Sequence, residues 1–408
     1  MFAAILVFFN IVVTVYSESP INLPDSPDND VVQYSGYLDF DNNQVHYMFV
    51  LAENDSSSSP VLVWLGSSPG CSLLYHYFEF LGPYIIDTNS NGSLVRNNNA
   101  WSKIGNLLVI DNSINAGFSY GRTETPNVYR RRDLTYKALL RFFEIFPQFK
   151  GLFFGNAILD LNELTTDRTI FMYGHGFLDE RLYQIVRQNC CKGVMEECNF
   201  LQPFGDEFCR NAAFYLTSSF LESSLNIYNM NQKCKNNSQI TKAIRDIRNK
   251  ITTIAEFMNS FAAQMDVECV DETPFASYLN RADIRQALNI PENVKPWNII
   301  VNYNSLLPIS NYYAMKMVVN SGIRLFFYSG DSCLMAPMLH SQKFASKLGF
   351  EKTSAKKPFS IEKNRVAGYH TQYGLIDLVT ILRAGVYAKE RPAEALHAMN
   401  AFLKGEKP

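Results

Sequence analysis

Short apolar runs on either side of one amphipathic segment constrain the fold of this chain most strongly. The stretches PVLVWLG (60–66), NLLVID (106–111) and GLFFGNAILD (151–160) have the length and apolar character of buried strands. Between the last two lies LTYKALLRFFEIF (134–146), whose apolar residues recur at helical spacing. A strand, a helix and a second strand in that order predict a parallel sheet and an α/β fold.

The outer thirds of the chain carry the other strand signals. VHYMFVLA (45–52), IRLFFYSG (323–330) and LVTILRAG (378–385) are strand-like, and PAEALHAMNAFLKG (392–405) predicts a final helix. The middle third differs, because polar helical patterns and five cysteines crowd into it. We therefore predict one sheet formed by residues 18–161 and 266–408, with residues 162–265 inserted as a helical cap.

Composition excludes several classes of function. The chain has 408 residues and a net charge of −2, which gives no overall basic surface for nucleic acid. Its length fits one large domain with an insertion. A zinc site is disfavoured, because adjacent Cys190 and Cys191 are poorly spaced for a metal and no histidine lies nearby.

The N-terminus predicts entry into the secretory pathway. Residues 2–13 are apolar apart from Asn10, and the run is followed by small residues, so residues 1–17 resemble a signal peptide. The alternative is a membrane anchor, but the run is short for a span. After cleavage we expect no stable membrane insertion. The eight cysteines then predict disulfides, and the sequons at Asn54, Asn91 and Asn236 predict glycosylation.

One short motif suggests a catalytic serine. GFSYG (117–121) fits G-x-S-x-G, the pattern that marks the nucleophile elbow of α/β-hydrolases, and it follows an apolar strand. The elbow must open directly into a helix, whereas GRTETPNV with its proline follows here. Ser119 is therefore an alternative nucleophile that its own context disfavours.

Many ordered blocks of this sequence resemble one family, the serine carboxypeptidases. These α/β-hydrolases release single residues from peptide C-termini. The resemblance covers roughly residues 30–405 and implies an α/β-hydrolase fold with a mostly parallel central sheet and an inserted, disulfide-stapled cap. The matching blocks include WLGSSPGCSLL, WSKIGNLLVIDNSINAGFSY, YGHGFLDERLY, YLNRADIRQALNIP, YSGDSC and VAGYHTQYG.

The resemblance implies that the family's nucleophile is missing. In the family a G-E-S-Y-A-G elbow follows the helix that here ends near Phe149, but FPQFKGLFFGNAILD runs straight across. The gap falls between Lys150 and Gly151, so one central strand–helix unit of the sheet is absent. From the residues alone this gap is invisible, because the remaining strands and helix still form a regular pattern.

The other two catalytic positions are also altered. The family's acid is the last residue of G-D-x-D, and Cys333 stands at that place. The family's base is a histidine. Counting forward from Val366 puts Val386 there, and counting back from Arg391 puts a gap after Gly385. We interpret Asp331 as a strand-end residue that satisfies local backbone groups, and His46, His340, His370 and His397 as surface or packing residues.

Substrate recognition is altered as well. Gly66 and Phe80 occupy the positions of an asparagine and a glutamate that hold the peptide's terminal carboxylate in the family, and Ser67-Ser68 replaces the glycine pair of the oxyanion loop. By the same resemblance the disulfides would be Cys71–Cys269, Cys190–Cys209 and Cys191–Cys198, whereas Cys234 and Cys333 have no family partner.

The sequence therefore predicts a serine-carboxypeptidase-like protein, extracellular or lysosomal, in which the catalytic triad is not intact. One alternative is an active carboxypeptidase encoded by a longer isoform. Another is a secreted binding glycoprotein. We expect no cofactor and no metal. Peptide C-termini are the expected ligands if any site survives, and a homodimer is left open.

Overall fold

A computed structural model describes residues 19–64, 71–88, 92–111, 113–121, 152–155, 159–198, 225–233, 272–299, 310–386 and 388–408, with isolated residues between 134 and 216. The predicted signal peptide (1–17) lies outside the described residues. Residues 240–258 (ITKAIRDIRNKITTIAEFM), whose periodicity predicts an amphipathic helix in the inserted region, also lie outside the described residues. So does most of the predicted helix at 134–146, of which residues 134–135 and 137–138 are helical.

The N-terminal sheet is built from the first half of the core. Its order is β1-β2-β6-β3, with β7 also paired to β2, and β3 runs parallel to β6. Asp41 and Asn42 join β1 to β2 with positive φ angles of 51° and 62°, the conformation of a tight hairpin turn. The strands of this sheet are β1 (Gln33–Phe40), β2 (Asn43–Val50), β3 (Val61–Trp64), β6 (Asn106–Ile110) and β7 (Tyr120–Gly121).

The C-terminal sheet has the order β10-β11-β12-β9-β8. The pairs β10–β11 and β11–β12 are antiparallel, and the pairs β12–β9 and β9–β8 are parallel, so β8 is an edge strand of this sheet. A separate hairpin joins β4 (Tyr84–Ile86) to β5 (Leu94–Arg96). The strands of the C-terminal sheet are β8 (Leu152–Gly155), β9 (Leu325–Gly330), β10 (Lys352–Phe359), β11 (Gly368–Tyr373) and β12 (Ile376–Ile381).

The described strands thus form two five-stranded sheets, where the sequence pattern predicts one. The N-terminal sheet ends at β3 and the C-terminal sheet ends at β8, and among the described residues no ladder joins them. The predicted strand–helix–strand step from β6 to β8 therefore crosses between sheets. Both sheets nevertheless contribute to one hydrophobic core, in which Leu62 and Leu107 share a cluster with Phe326 and Val379.

Eight α-helices occur within the described ranges, and several have clear start and stop signals. Asp160 and Asp179 cap α2 and α3, since their carboxylates accept the backbone N–H of Glu163 and Leu182, both at 2.9 Å. Gly405 ends α8 in a left-handed conformation. The helices are α1 (Leu74–His76, continued by a π-helix at Tyr77–Leu81), α2 (Leu161–Gly174), α3 (Glu180–Cys190), α4 (Thr273–Leu279), α5 (Ala282–Ala287), α6 (Tyr312–Asn320), α7 (Met338–Lys347) and α8 (Pro392–Lys404).

The described part of the inserted region is helical and cross-linked. The structure contains the disulfides Cys190–Cys209 and Cys191–Cys198, the two pairs that the resemblance implies for this region. All four cysteines are buried in one hydrophobic cluster. Across the described ranges, none of the helices has the length and apolar character needed to cross a membrane.

Candidate active site

The structure brings Cys333 and Val386 together, the positions that the resemblance implies for the family's acid and, by the forward count, for its base. Cys333 lies in the loop after β9 and Val386 in the loop after β12. Because β9 and β12 are parallel, both loops leave the C-terminal sheet at the carboxyl ends of its parallel strands. The backbone N–H of Ser332 donates to the carbonyl of Ala384 at 2.8 Å, which ties one loop to the other. Cys333 and Val386 belong to the same buried hydrophobic cluster.

Cys333 is a buried free thiol rather than an acid. Its side chain is fully inaccessible, and burial raises the pKa of the thiol to about 12. The nearby backbone N–H groups of Ala336 and Met335 and the Arg168 guanidinium lower that pKa, but burial outweighs them. At any physiological pH this position therefore carries a neutral group, which cannot stabilise an imidazolium as a carboxylate does.

Val386 is fixed in place by its backbone and its packing. Its N–H donates to the carbonyl of Tyr228 at 2.8 Å, and its side chain is 7 % exposed. Val386 belongs to the same hydrophobic cluster as Ile227, Tyr228, Leu334 and Cys333. An aliphatic side chain has no proton to exchange, so this position cannot supply a general base.

A carboxyl group that the sequence analysis missed lies beside these two positions. Glu390 accepts the backbone N–H of Gly385 at 2.6 Å. Burial raises the pKa of Glu390 to about 7, although the Gly385 N–H, Lys389 and Asn229 oppose that shift. The sequence offered one signal for Glu390. It directly precedes Arg391, the residue from which the position of the family's histidine is counted back. In this loop Glu390 bonds backbone and amide groups, so nothing shows it activating a nucleophile.

The glutamate position of the family's carboxylate site has become part of the core. Phe80 is 5 % exposed, and its ring packs edge-on against Trp64 and His76 at centroid distances of 5.8 Å and 5.6 Å. The preceding residue, Glu79, is occupied as well, because its carboxylate forms an ion pair with Lys389 and accepts the Tyr75 hydroxyl. In this ion pair the Lys389 ammonium compensates the negative charge of the Glu79 carboxylate.

The hydroxyl of Ser119 is buried and takes part in hydrogen bonds that hold the fold. Its side chain is 2 % exposed, and its Oγ donates to the carbonyl of Asp111 at 2.6 Å while accepting the backbone N–H of His46 at 2.9 Å. The imidazole of His46 instead lies 2.9 Å from the hydroxyl of Ser35 through Nε2. A strand, β7, follows Ser119, where a nucleophile elbow requires a helix.

The histidines also hold structural positions. Burial lowers the pKa of His46 to about 3, so it is neutral at physiological pH. His340 is fully buried, with Nδ1 2.9 Å from Asp167 and Nε2 accepting the N–H of Leu159 at 3.1 Å. His370 pairs with Asp377 at 2.8 Å, and His397 stacks on the ring of Phe359. Asp331 accepts the backbone N–H of Arg383 at 2.6 Å, the local role predicted for it.

Several predicted site residues lie outside the described ranges: Gly66, Ser67, Ser68, Asn91, Lys150, Gly151, Cys234, Asn236 and Cys269. The oxyanion loop, two sequons and the pairing of Cys269 therefore stay predictions. Cys71 is buried, and Asn54 is exposed in the turn between β2 and β3.

The sheets, the helices around them and the helical insertion define an α/β-hydrolase fold. A solved structure with this fold is KEX1(delta)P, a prohormone-processing carboxypeptidase from Saccharomyces cerevisiae, which matches with a TM-score of 0.69, 16 % identity and coverage of 94 % of this chain and 93 % of that chain. Within this fold, the chain belongs to the serine carboxypeptidase family. The family model matches residues 24–151 and 148–405, in two parts that meet where the elbow is expected.

Curated relatives span almost the whole chain. The lysosomal protective protein of Mus musculus is 27 % identical, over 92 % of this chain and 90 % of the relative. The serine carboxypeptidase ctsa-4.1 of Caenorhabditis elegans is 25 % identical, over 92 % of this chain and 91 % of the relative. The alignment with the mouse protein has 433 positions against 408 residues here, so the relative has residues that this chain lacks.

Proposed function

We propose that this chain is a serine-carboxypeptidase-like protein that does not hydrolyse peptide bonds and acts as a binding glycoprotein of the secretory pathway. The proposal rests on the two loops that follow β9 and β12 and that the hydrogen bond between Ser332 and Ala384 joins. Those loops hold the acid and base positions together, but Cys333 is a neutral thiol and Val386 an aliphatic side chain, both buried in one cluster. Serine-type acyl transfer needs a charged acid and an imidazole at that place.

A hydrolysis assay tests the proposal. The purified chain would be incubated with blocked dipeptides at acid pH, with the serine carboxypeptidase ctsa-4.1 of Caenorhabditis elegans as a positive control for substrate and buffer. We expect no C-terminal release above the uncatalysed rate. Turnover that a serine-directed organophosphate abolishes would contradict the proposal, because it would require an active serine.

The secretory location rests on sequence and on relatives. The predicted signal peptide, the exposed sequon at Asn54 and the similarity to a lysosomal protective protein support it. We expect the full chain expressed in cultured animal cells to enter the secretory pathway and to lose apparent mass on treatment with an N-glycosidase. A cytosolic chain without glycans would exclude this part of the proposal.

An active carboxypeptidase made by a longer isoform is the second candidate. The two-part family match meeting at residues 148–151 favours it, because an exon encoding the elbow would belong at that point. Sequencing the genomic DNA between the codons for Lys150 and Gly151 tests it. Even with the elbow restored, Cys333 and Val386 would remain, so we expect such an isoform to show only weak residual activity.

A further inference from the structure

The loop between β12 and α8 is held in place more by hydrogen bonds than by packing. It spans residues 382–391, and among its described side chains only those of Ala384 and Val386 are both apolar and buried. Its backbone bonds to the rest of the fold, with the Leu382 N–H donating to the carbonyl of Ala367 at 3.0 Å. Segments with few buried apolar contacts open at a lower free energy than the whole protein. The 382–391 loop therefore has the composition of a segment that can open locally.

The middle of this loop is tightly packed at Gly385. A Cβ atom there would lie 2.2 Å from the carbonyl oxygen of Tyr228, 2.6 Å from the Cβ of Asn229 and 2.9 Å from Oε2 of Glu390. The Glu390 carboxyl group closes the loop on itself, since its Oε2 accepts the Gly385 N–H at 2.6 Å. The side chain of Asn229 bonds to the same carboxyl group. Glu390 thus connects the end of the loop to its middle and to the segment 225–233 of the inserted region.

The groups around Glu390 do not compensate a negative charge on its carboxyl group. Lys389 pairs with Glu79 of the π-helix, so these two charges offset each other. The other titratable groups that face Glu390 from the described residues are the Tyr328 phenol and the Cys333 thiol. Both are neutral, because burial raises the pKa of each. Burial likewise raises the pKa of Glu390 to about 7, so its ionised form gains from reaching water.

We propose that Glu390 is a proton-dependent clasp, whose protonated carboxyl group holds the 382–391 loop closed against the loop of Cys333 and whose ionisation lets it open. The closed loop binds the proton more tightly than the open loop. Closure is therefore fully favoured below about pH 4.5, and opening increases as the pH rises toward about 7. Cys333 is fully buried beside this loop, because the Ser332 N–H bonds to the carbonyl of Ala384. The clasp does not depend on whether the chain hydrolyses peptides.

Thiol labelling of the full chain tests the clasp. The chain would be treated with a pyridyl disulfide at several pH values, and the rate of modification of Cys333 measured by mass spectrometry of its peptide. The rate for the urea-unfolded chain, divided by the rate for the folded chain at the same pH, gives the protection of Cys333 without the intrinsic pH dependence of a thiol. We expect this protection to fall about tenfold between about pH 4.5 and pH 7.5. Replacing Glu390 by glutamine, which still accepts the Gly385 N–H but cannot ionise, should abolish the fall.

A second buried thiol separates local opening from unfolding of the whole chain. Ala345 on α7 is fully buried in a different hydrophobic cluster, so an Ala345→Cys variant supplies a matched reporter. At pH 7.5 we expect Cys333 to be at least about tenfold less protected than the new thiol, and its protection to change little in low urea, since local opening exposes little surface. Equal protection and equal urea dependence at the two thiols would overturn the clasp. So would protection of Cys333 that does not change with pH, or a Glu390→Gln variant that keeps the fall.

Discussion

Buried side chains differ in kind between the scaffold around Asp111 and the two positions that the resemblance implies for a catalytic acid and base. Near β6, Asp111 accepts the N–H of Leu73 at 2.6 Å and the hydroxyl of Ser72 at 2.9 Å, and Ser72 also accepts the indole N–H of Trp297 at 3.0 Å. Around Cys333 and Val386, by contrast, apolar side chains predominate, although the buried Arg168 guanidinium and the Glu390 carboxyl lie nearby. The scaffold network is centred on a carboxylate, whereas the loops after β9 and β12 hold a neutral thiol and an aliphatic side chain at the positions that the resemblance implies for the acid and the base.

This difference teaches which sequence blocks stabilise the fold. The block around GFSYG is held by the Asp111 network, and an L side chain at Gly117 would place its Cβ 1.8 Å from Asp111 Oδ2 at a φ of +58°. That motif is therefore required for packing, whatever the activity of the protein. The loops after β9 and β12 retain their backbone contacts but not the side chains of a triad.

The largest expected effect is in the scaffold. Replacing Asp111 by alanine leaves the Leu73 N–H and the Ser72 hydroxyl without this buried acceptor, which should lower the free energy of unfolding by ~3–5 kcal/mol. Urea denaturation followed by circular dichroism measures the change. A loss below ~1 kcal/mol would show that the network does not stabilise the fold as described.

His340 provides a second scaffold test with a matched control. Replacing His340 by alanine creates a cavity, removes one of the two partners of Asp167, which keeps Lys343 at 2.8 Å, and leaves the Leu159 N–H unpaired, with an expected cost of ~2–4 kcal/mol. The same change at the exposed His397 should alter the free energy of unfolding by no more than ~0.5 kcal/mol. Equal effects at the two sites, in the same urea titration, would contradict a structural role for His340.

Restoring the family's acid should destabilise rather than activate. Replacing Cys333 by aspartate puts a carboxyl group into a fully buried site, where the Arg168 guanidinium offsets only part of the cost of burial, so we expect a loss of ~2–3 kcal/mol at pH 7 and less at pH 5, where the group is more easily protonated. Replacing Cys333 by alanine should cost only ~1 kcal/mol. Thermal melts of both variants at the two pH values measure this. An aspartate variant as stable as the natural chain would mean that the site is still polar.

The smallest effect is the pH dependence caused by Glu390. Its pKa is raised from 4.5 to about 7 in the folded chain, so the folded state binds the proton more tightly than the unfolded state. The resulting stability is fully present below about pH 4.5 and is lost as the pH rises through about 7. Replacing Glu390 by glutamine should flatten this decline by on the order of 1 kcal/mol, given its partial exposure. If the urea midpoint of the glutamine variant depended on pH between pH 4.5 and pH 7.5 as that of the natural chain does, this role of Glu390 would be refuted.

The sequence predicts the buried strands well and the polar ones poorly. Continuous apolar runs indicate β2, β3, β6, β8, β9 and β12, all of which occur. β10 was missed because KTSAKKPF is polar and sits at an edge, where strand formation depends on its neighbour β11 rather than on its own residues. The division into two sheets could not be read from periodicity, because β3 and β8 look like inner strands.

The candidate site is predictable only in part. The altered residues at Cys333 and Val386 follow from the resemblance, and the two cap disulfides do too. The raised pKa of Glu390 could not be predicted, since it depends first on burial in the folded chain and then on the Glu79 carboxylate, which is far away in the sequence. Likewise, Ser119 fits a catalytic motif, and only the partners of its hydroxyl show its structural role.

The central claim is that this chain contains no activated serine, and covalent labelling tests it most directly. The purified full chain would be treated with a fluorophosphonate at pH 5 and pH 7 and its intact mass measured, with the serine carboxypeptidase ctsa-4.1 of Caenorhabditis elegans alongside. We predict an unmodified mass for this chain at both pH values. A single phosphonate adduct, mapped to Ser119 or to any other serine and lost on prior heat denaturation, would contradict the account.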